Sequence, residues 1–363
     1  MKRSFRARFT LFLTAMLLAG HAYAVDGGTI GLVTPLSGDY SILGKQLAEG
    51  AQLQASHSGA VVTVIDESCE EGSGVAVADQ LIAAGAEIAI GFMCSATLRS
   101  ALPILKDAGI PAITVSVRST PLMEEALKAG WPLYRMAPSQ KDEADELTEI
   151  IMSQWADKPV ALLDDGTIYF RELINAVRNR IEERGLKPVI VDTFRPAQEQ
   201  QAALVRRLEQ AGATHILIGG TRNDTAIIAR DAAQSGASLT ILGGDSLRAP
   251  DEPVKLENGI LAAALPEFAT LPPAAEISED AQQAGINAEG YVVPGAAAVL
   301  VATQALNAAD SEETDIEKIL QTRHFDTPLG PVSFTPEHEL SDNPLMLLSW
   351  QNGQFVPIFD TDE

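Results

Sequence analysis

The chain has little of what metal and redox chemistry needs. Its 363 residues include two cysteines, Cys69 and Cys94, and five histidines that never cluster. Protein metal sites draw on several such ligands at short spacings, so no metal centre and no cofactor is expected. The motifs GxSxG, HExxH and GxGxxG do not occur, which removes the usual hydrolase, zinc-peptidase and dinucleotide signatures. Gly38 to Lys45 is a poor phosphate loop. Five residues separate Gly38 from Gly44, and Gln46 follows Lys45 where a hydroxyl should hold magnesium. No aligned nucleophile and base is visible, so an enzyme is not expected. Positive charge is scarce too: 26 Lys and Arg stand against 49 Asp and Glu, a formal charge of −23. That balance argues against nucleic acid and anionic membrane surfaces as partners. Beyond the first two dozen residues, no stretch reads as long and apolar enough to span a bilayer.

What is present begins with an export signal. Lys2, Arg3, Arg6 and Arg8 form a basic leader, Phe9 to Gly20 is an apolar run too short to cross a membrane, and Ala22-Tyr23-Ala24 is a small-x-small cleavage site. Residues 1–24 are therefore expected to be removed after Ala24, placing the mature protein in the periplasm. The remaining chain carries 22 basic and 49 acidic side chains, a formal charge of −27. Its about 339 residues exceed what one core usually encloses, which predicts two lobes. In an exported protein an isolated cysteine pair reads as a disulfide. Cys69 and Cys94 lie just past the ends of two predicted strands, Val61 to Asp66 and Glu87 to Gly91, so their proximity is reasonable.

The mature chain alternates strand and helix. Strands are predicted at Thr29–Thr34, Val61–Ile65, Glu87–Gly91 and Ile110–Val115, with helices at Gly44–Gln54, Val75–Ala84, Ser95–Ala108 and Ser139–Gln154. A second series has strands at Val160–Leu163, Val189–Thr193, His215–Ile218, Leu239–Leu242 and Ile260–Ala264. Its helices are at Ile168–Arg184, Ala197–Ala211 and Asn223–Ser235. Two such series imply two parallel, doubly wound sheets. Pro266 to Ile277 reads as a linker or surface loop, and Gly290 to Ala308 as a long apolar helix. Gly330 to Phe334, Leu345 to Trp350 and Phe355 to Phe359 read as strands, the last two joined at Asn352-Gly353. Asp66, Glu67, Glu70 and Glu71 read as a solvated acidic loop, and His338 as a solvated histidine.

The stretch with most chemical promise is Gly91-Phe92-Met93-Cys94-Ser95-Ala96-Thr97-Leu98. A β-branched strand ends there and a helix begins. Such a joint presents free backbone N–H groups and partial positive charge, with Ser95 or Thr97 available as a cap. Ligands of open α/β sheets sit at this end of the strands, and an anion suits it.

Several segments resemble exported solute-binding proteins of the leucine/isoleucine/valine-binding type. They are IGLVTPLSG followed by ILGKQLAEGAQL, then GFMCSAT, ALPILKDAGIPAITVS with Thr120-Pro121, FDTPLGPVSF, and the closing Trp350-x-x-Gly353-x-Phe355. The cysteine spacing also matches. The resemblance implies a type I periplasmic binding protein, an α/β fold of two Rossmann-like lobes joined by a three-strand hinge. Lobe I would span 25–137 plus 267–343, and lobe II 138–266 plus 344–363. It further implies a monomeric receptor that binds a small carboxylate-bearing solute, an amino acid or related organic acid, for an ABC importer permease in the inner membrane. A periplasmic sensor of the same fold is the alternative. Carried over residue by residue, Ser95 and Thr120 would hold the ligand carboxylate, with Ala96 and Ser116 beside them. Tyr169 would cover the ligand and Asp245 would pair with its amine. Arg118 stands where close members carry a small residue, and could fork onto a second acidic group. Thr221 and Leu43 stand where amino-acid binders carry Tyr and Trp.

Overall fold

The computed structural model describes residues 28–249 and 253–359; the expected export signal lies outside them. The first series runs β1 (Thr29–Thr34), α1 (Ser41–Ser58), β2 (Val61–Asp66), α2 (Gly74–Ala83), β3 (Ile88–Gly91), α3 (Ser95–Ala108), β4 (Ala112–Thr114), α4 (Thr120–Ala129) and β5 (Leu133–Arg135). These strands form a parallel sheet of order β2-β1-β3-β4-β5. The second runs α5 (Gln140–Gln154), β6 (Val160–Asp164), α6 (Ile168–Glu183), β7 (Ile190–Thr193), α7 (Ala202–Ala211), β8 (His215–Gly219), α8 (Arg222–Ser235), β9 (Thr240–Gly243) and β10 (Leu261–Ala264). The chain closes with α9 (Ala275–Gln283), α10 (Val292–Glu312), α11 (Ile316–Thr322), β11 (Phe325–Thr327), β12 (Gly330–Val332), β13 (Met346–Gln351) and β14 (Gln354–Pro357). The second sheet has the order β14-β13-β10-β9-β8-β6-β7, with β13 and β14 antiparallel. The hairpin turn at Asn352-Gly353 is as expected, Asn352 taking a positive φ of 53° and Gly353 of 94°.

Each sheet is covered on both faces, as continuous apolar strands require. On the first, α1 and α10 close one core with Ile30, Leu32, Ile88 and Ile90, while α2, α3 and α4 close the other with Val33, Ala89 and Ala112. On the second, Leu348 and Trp350 of β13 join Ile216 and Ile218 under α7 and α8, and α5 and α6 cover the opposite face. The α/β fold of two lobes with parallel sheets thus agrees with expectation. The chain leaves the first sheet after β5 and the second after β10, and rejoins the second at β13; residues 136–139, 265–267 and 342–345 beside these points lie outside the strands.

Some expectations change. α10 is in fact long and apolar enough, by composition alone, to cross a membrane. Its apolar length instead serves the core between α1 and the first sheet, where Val292, Ala298, Val301, Ala302 and Ala305 are fully enclosed. α4, β5, α9, α11 and β11 were not anticipated. α7 starts at Ala202 and not at Ala197, whose φ of 55° is incompatible with a right-handed helix and whose N–H donates to Asp224 Oδ1 at 2.8 Å.

Candidate functional site

The β3–α3 joint takes two successive positive φ angles. Gly91 has φ 102°, and a Cβ there would lie 2.2 Å from the Val33 carbonyl oxygen, so the position requires glycine. Phe92 follows at φ 51°, held by its N–H to Val33 O (2.8 Å) and by Thr114 Oγ1 donating to its carbonyl (2.8 Å). Cys94 takes the N-cap position in extended conformation. Neither Ser95 nor Thr97 caps the helix as expected. Thr97 is buried and shares a 2.9 Å hydrogen bond with Ser73 Oγ, leaving Ser95 exposed at the first turn. The expected disulfide between Cys69 and Cys94 is formed.

Behind this joint lies Glu67, which is not solvated as expected but wholly enclosed. Its Oε1 accepts from Met93 N–H at 2.6 Å, and its Oε2 has no hydrogen-bond partner among the described residues. Burial pushes its pKa up to about 7 against the nearby N–H groups of Met93 and Cys94, which lower it. Asp66 does part of what the acidic loop was expected to leave to water: it accepts from Leu36 N–H (2.7 Å) and Ser37 Oγ (3.2 Å), tying down the loop after β1.

A cavity of about 410 Å³ lies between the lobes, beside the three inter-lobe passages. It is bounded by Ser116, Arg118 and Phe268 from the first lobe and by Asp245 and Leu265 from the second, with Tyr291 along its wall. Arg118 and Asp245 meet across it, Nη2 to Oδ2, at 2.8 Å. The pair joins residues 127 apart in sequence. Asp245 Oδ1 also accepts from Leu265 N–H at 3.0 Å. Burial pushes the Arg118 pKa down, but the negative charges of Asp245 and Glu143 more than reverse this and hold it above its ordinary value.

Glu143, in the first turn of α5, completes the second lobe's rim. It is 1% exposed. Its Oε1 accepts from Asp245 N–H at 3.0 Å and its Oε2 from the Tyr169 hydroxyl at 2.6 Å. Burial raises its pKa, and the hydrogen bond from Tyr169 opposes this. Gly244 must be glycine to let it approach, since a Cβ there would stand 2.0 Å from Glu143 Oε1.

Of the residues singled out from sequence, Ser116, Arg118 and Asp245 therefore share one cavity. Ser95 and Ala96 begin α3 and Thr120 begins α4, both helices opening at the carboxyl ends of neighbouring strands; none of the three borders the cavity. Ser119, not Thr120, caps α4 by accepting from Leu122 N–H. Thr221 is spent on capping α8: its hydroxyl accepts from Asp224 N–H (3.2 Å) and donates to Asp224 Oδ2 (2.7 Å). Tyr169 is 37% exposed in the first turn of α6. Glu143, Glu67 and Arg248 escaped the sequence reading. The only local sign of Glu143 is its place after the Ser139–Asp142 capping box. His338 is half-buried, stacked on Tyr134 at 4.2 Å between centroids, and Nδ1 lies 3.0 Å from Leu133 O. It is a packing residue and not a solvated one.

Residues 28–354 match the model of the periplasmic binding protein family. The chain belongs to that family. It is 24% identical over 363 residues to the Leu/Ile/Val-binding protein homolog 3 of Brucella melitensis, covering 95% of this chain and 96% of that protein. Among solved structures, it resembles a putative branched-chain amino acid ABC transporter protein from Rhodospirillum rubrum with a TM-score of 0.79 at 18% identity, covering 91% of this chain and 99% of the other. It also resembles the solute-binding protein of an ABC transporter from Rhodopseudomonas palustris, solved with p-hydroxybenzoic acid. There the TM-score is 0.68 at 16% identity, covering 91% of this chain and 95% of the other. The family consists of solute-binding proteins that bind small ligands, not of enzymes.

Proposed function

We propose that this protein is an exported, monomeric receptor that captures a small carboxylate-bearing solute between two closing lobes and delivers it to an ABC importer in the inner membrane. The observation that carries this reading is the Arg118–Asp245 contact across a 410 Å³ cavity bordered by both lobes. A cavity of this size and lining suits a small molecule. Residues 25–137 plus 267–343 form lobe I, and 138–266 plus 344–363 form lobe II. Ligand contact with both would shift the lobes toward closure, because only the closed arrangement offers both sets of contacts. On lobe I the carboxylate is met by Arg118 and Ser116, with Ser95, Ala96 and Thr120 at the adjoining helix starts. On lobe II, Asp245 borders the cavity, with Tyr169 behind it on Glu143 and Thr221 at the start of α8 as the further candidates. The family relationship and the names of the relatives support the reading.

Thermal and urea unfolding against a panel of amino acids, aromatic acids and small peptides tests it. At a hundredfold excess over Kd, a true ligand stabilises by about 2.7 kcal/mol. A panel in which no carboxylate stabilises the protein would sink the proposal.

A further inference from the structure

We infer that the cleft is built for an amine-free carboxylic acid with an apolar body, and against α-amino acids, because the guanidinium of Arg118 already occupies the acidic group that a ligand ammonium would need. This rests on the receptor reading above and narrows its ligand class.

The carboxylates within reach are accounted for one at a time. Asp245 gives Oδ2 to Arg118 and Oδ1 to Leu265 N–H. Glu143 gives one oxygen to Asp245 N–H and the other to the Tyr169 hydroxyl, and is enclosed. Glu267 is paired with Arg248 at 3.3 Å. Asp342 borders the cavity but is exposed at an inter-lobe passage, where water competes for it. An ammonium entering here would have to stand beside the Arg118 cation or break its ion pair. Either is unfavourable, since removing one partner of a part-buried pair leaves the other charge poorly compensated.

Arg118 has capacity to spare for an anion. A guanidinium offers five N–H donors in a planar fork. Among the described residues only Nη2 is used, on Asp245. The second N–H of Nη2, together with either Nε or Nη1, leaves one edge of the fork for a carboxylate, which binds such an edge with two parallel hydrogen bonds. The acid would then complete an alternating acid–base–acid row from ligand through Arg118 to Asp245. The rest of the cavity suits an apolar body: Met136, Leu265, Phe268, Tyr291, Leu329 and Leu340 border it.

The test is calorimetry on the whole mature protein with matched pairs that differ only in the amine: leucine and 4-methylpentanoate, phenylalanine and 3-phenylpropanoate, 4-hydroxyphenylglycine and 4-hydroxyphenylacetate. In at least one pair the amine-free acid should bind at least tenfold more tightly. Arg118→Met should weaken that acid by at least tenfold, and Arg118→Lys, which keeps the charge without the fork, by less. Unfolding of each variant without ligand separates a binding loss from a folding loss. Asp245→Asn provides a second variant and should leave the preference for the amine-free member in place. If every amino acid binds more tightly than its amine-free partner, the inference falls and the receptor reading stands. If neither member of any pair binds, the inference falls; if the wider carboxylate panel also fails, the receptor reading falls with it.

Discussion

Each lobe keeps one glutamate behind its cleft-facing rim, and the two are treated differently. On lobe I, Glu67 supports the β3–α3 joint with one accepted hydrogen bond, its other oxygen having no partner among the described residues, while the Cys69–Cys94 bond ties the same joint to the loop after β2. On lobe II, Glu143 has both oxygens satisfied by the chain, and no covalent link is needed. A buried acid with too few donors holds its proton to higher pH, and Glu67 does so to about 7. The first rim is thus set by a covalent bond and a protonation state. On the second, burial raises the Glu143 pKa too, but two hydrogen bonds, from the Tyr169 hydroxyl and Asp245 N–H, oppose it.

The comparison is most easily broken at the disulfide. The bond closes a loop of sequence separation 25, worth about 3.5 kcal/mol on the chain-entropy model. The Cys69→Ser/Cys94→Ser double variant should lose stability of about that size in urea unfolding. A midpoint unchanged by removal or by reductant would show that the joint is held by packing alone.

The next largest effect is the pH response of Glu67. Its pKa rises from an ordinary 4.5 to about 7 on folding, so the folded state takes up a proton in this window. Its stabilising contribution is full below pH 4.5 and is lost as pH rises through 7, at a cost reaching about 3 kcal/mol. Glu67→Gln mimics the protonated acid. Its stability relative to the parent should therefore climb by about that amount between pH 4.5 and 8. Parallel pH profiles for the two proteins would remove Glu67 as the source.

The smallest effect sharpens the other side. Tyr169→Phe deletes the donor to Glu143 Oε2 but leaves the Asp245 N–H on Oε1 in place. It should cost about 0.5–1.5 kcal/mol, measured by urea midpoint at pH 7. A larger loss would mean that the lobe II rim depends on this single bond and has no reserve.

How much of this was legible beforehand depends on the range of the interaction. Most strands of both sheets, most of their helices and the closing hairpin are written in local apolar runs, turn residues and spacing, because a buried parallel strand must be apolar along its length; the three-residue β5 is too short to show such a run. The Cys69–Cys94 pair was legible because there were no competing cysteines. α9 was hidden in a segment opened by Pro272 and Pro273 and carrying mostly polar residues, with Ile277 and Ala281 as its buried face. α4 was short and opened by Thr120-Pro121, which reads as a turn.

The site itself was legible only in part. Arg118 and Asp245 were marked individually, but nothing in their neighbourhoods shows that each is the other's partner. That pairing exists only once two separately folded sheets face each other. Glu67 looked like one of four solvated acids, and Glu143 was not singled out at all. Periodicity records which faces of an element meet apolar neighbours, so the chain by itself determined the lobes and their cores. The tertiary structure decided which polar groups meet across the cleft, because hydrogen bonds and charges act between particular atoms whose separation no local pattern encodes.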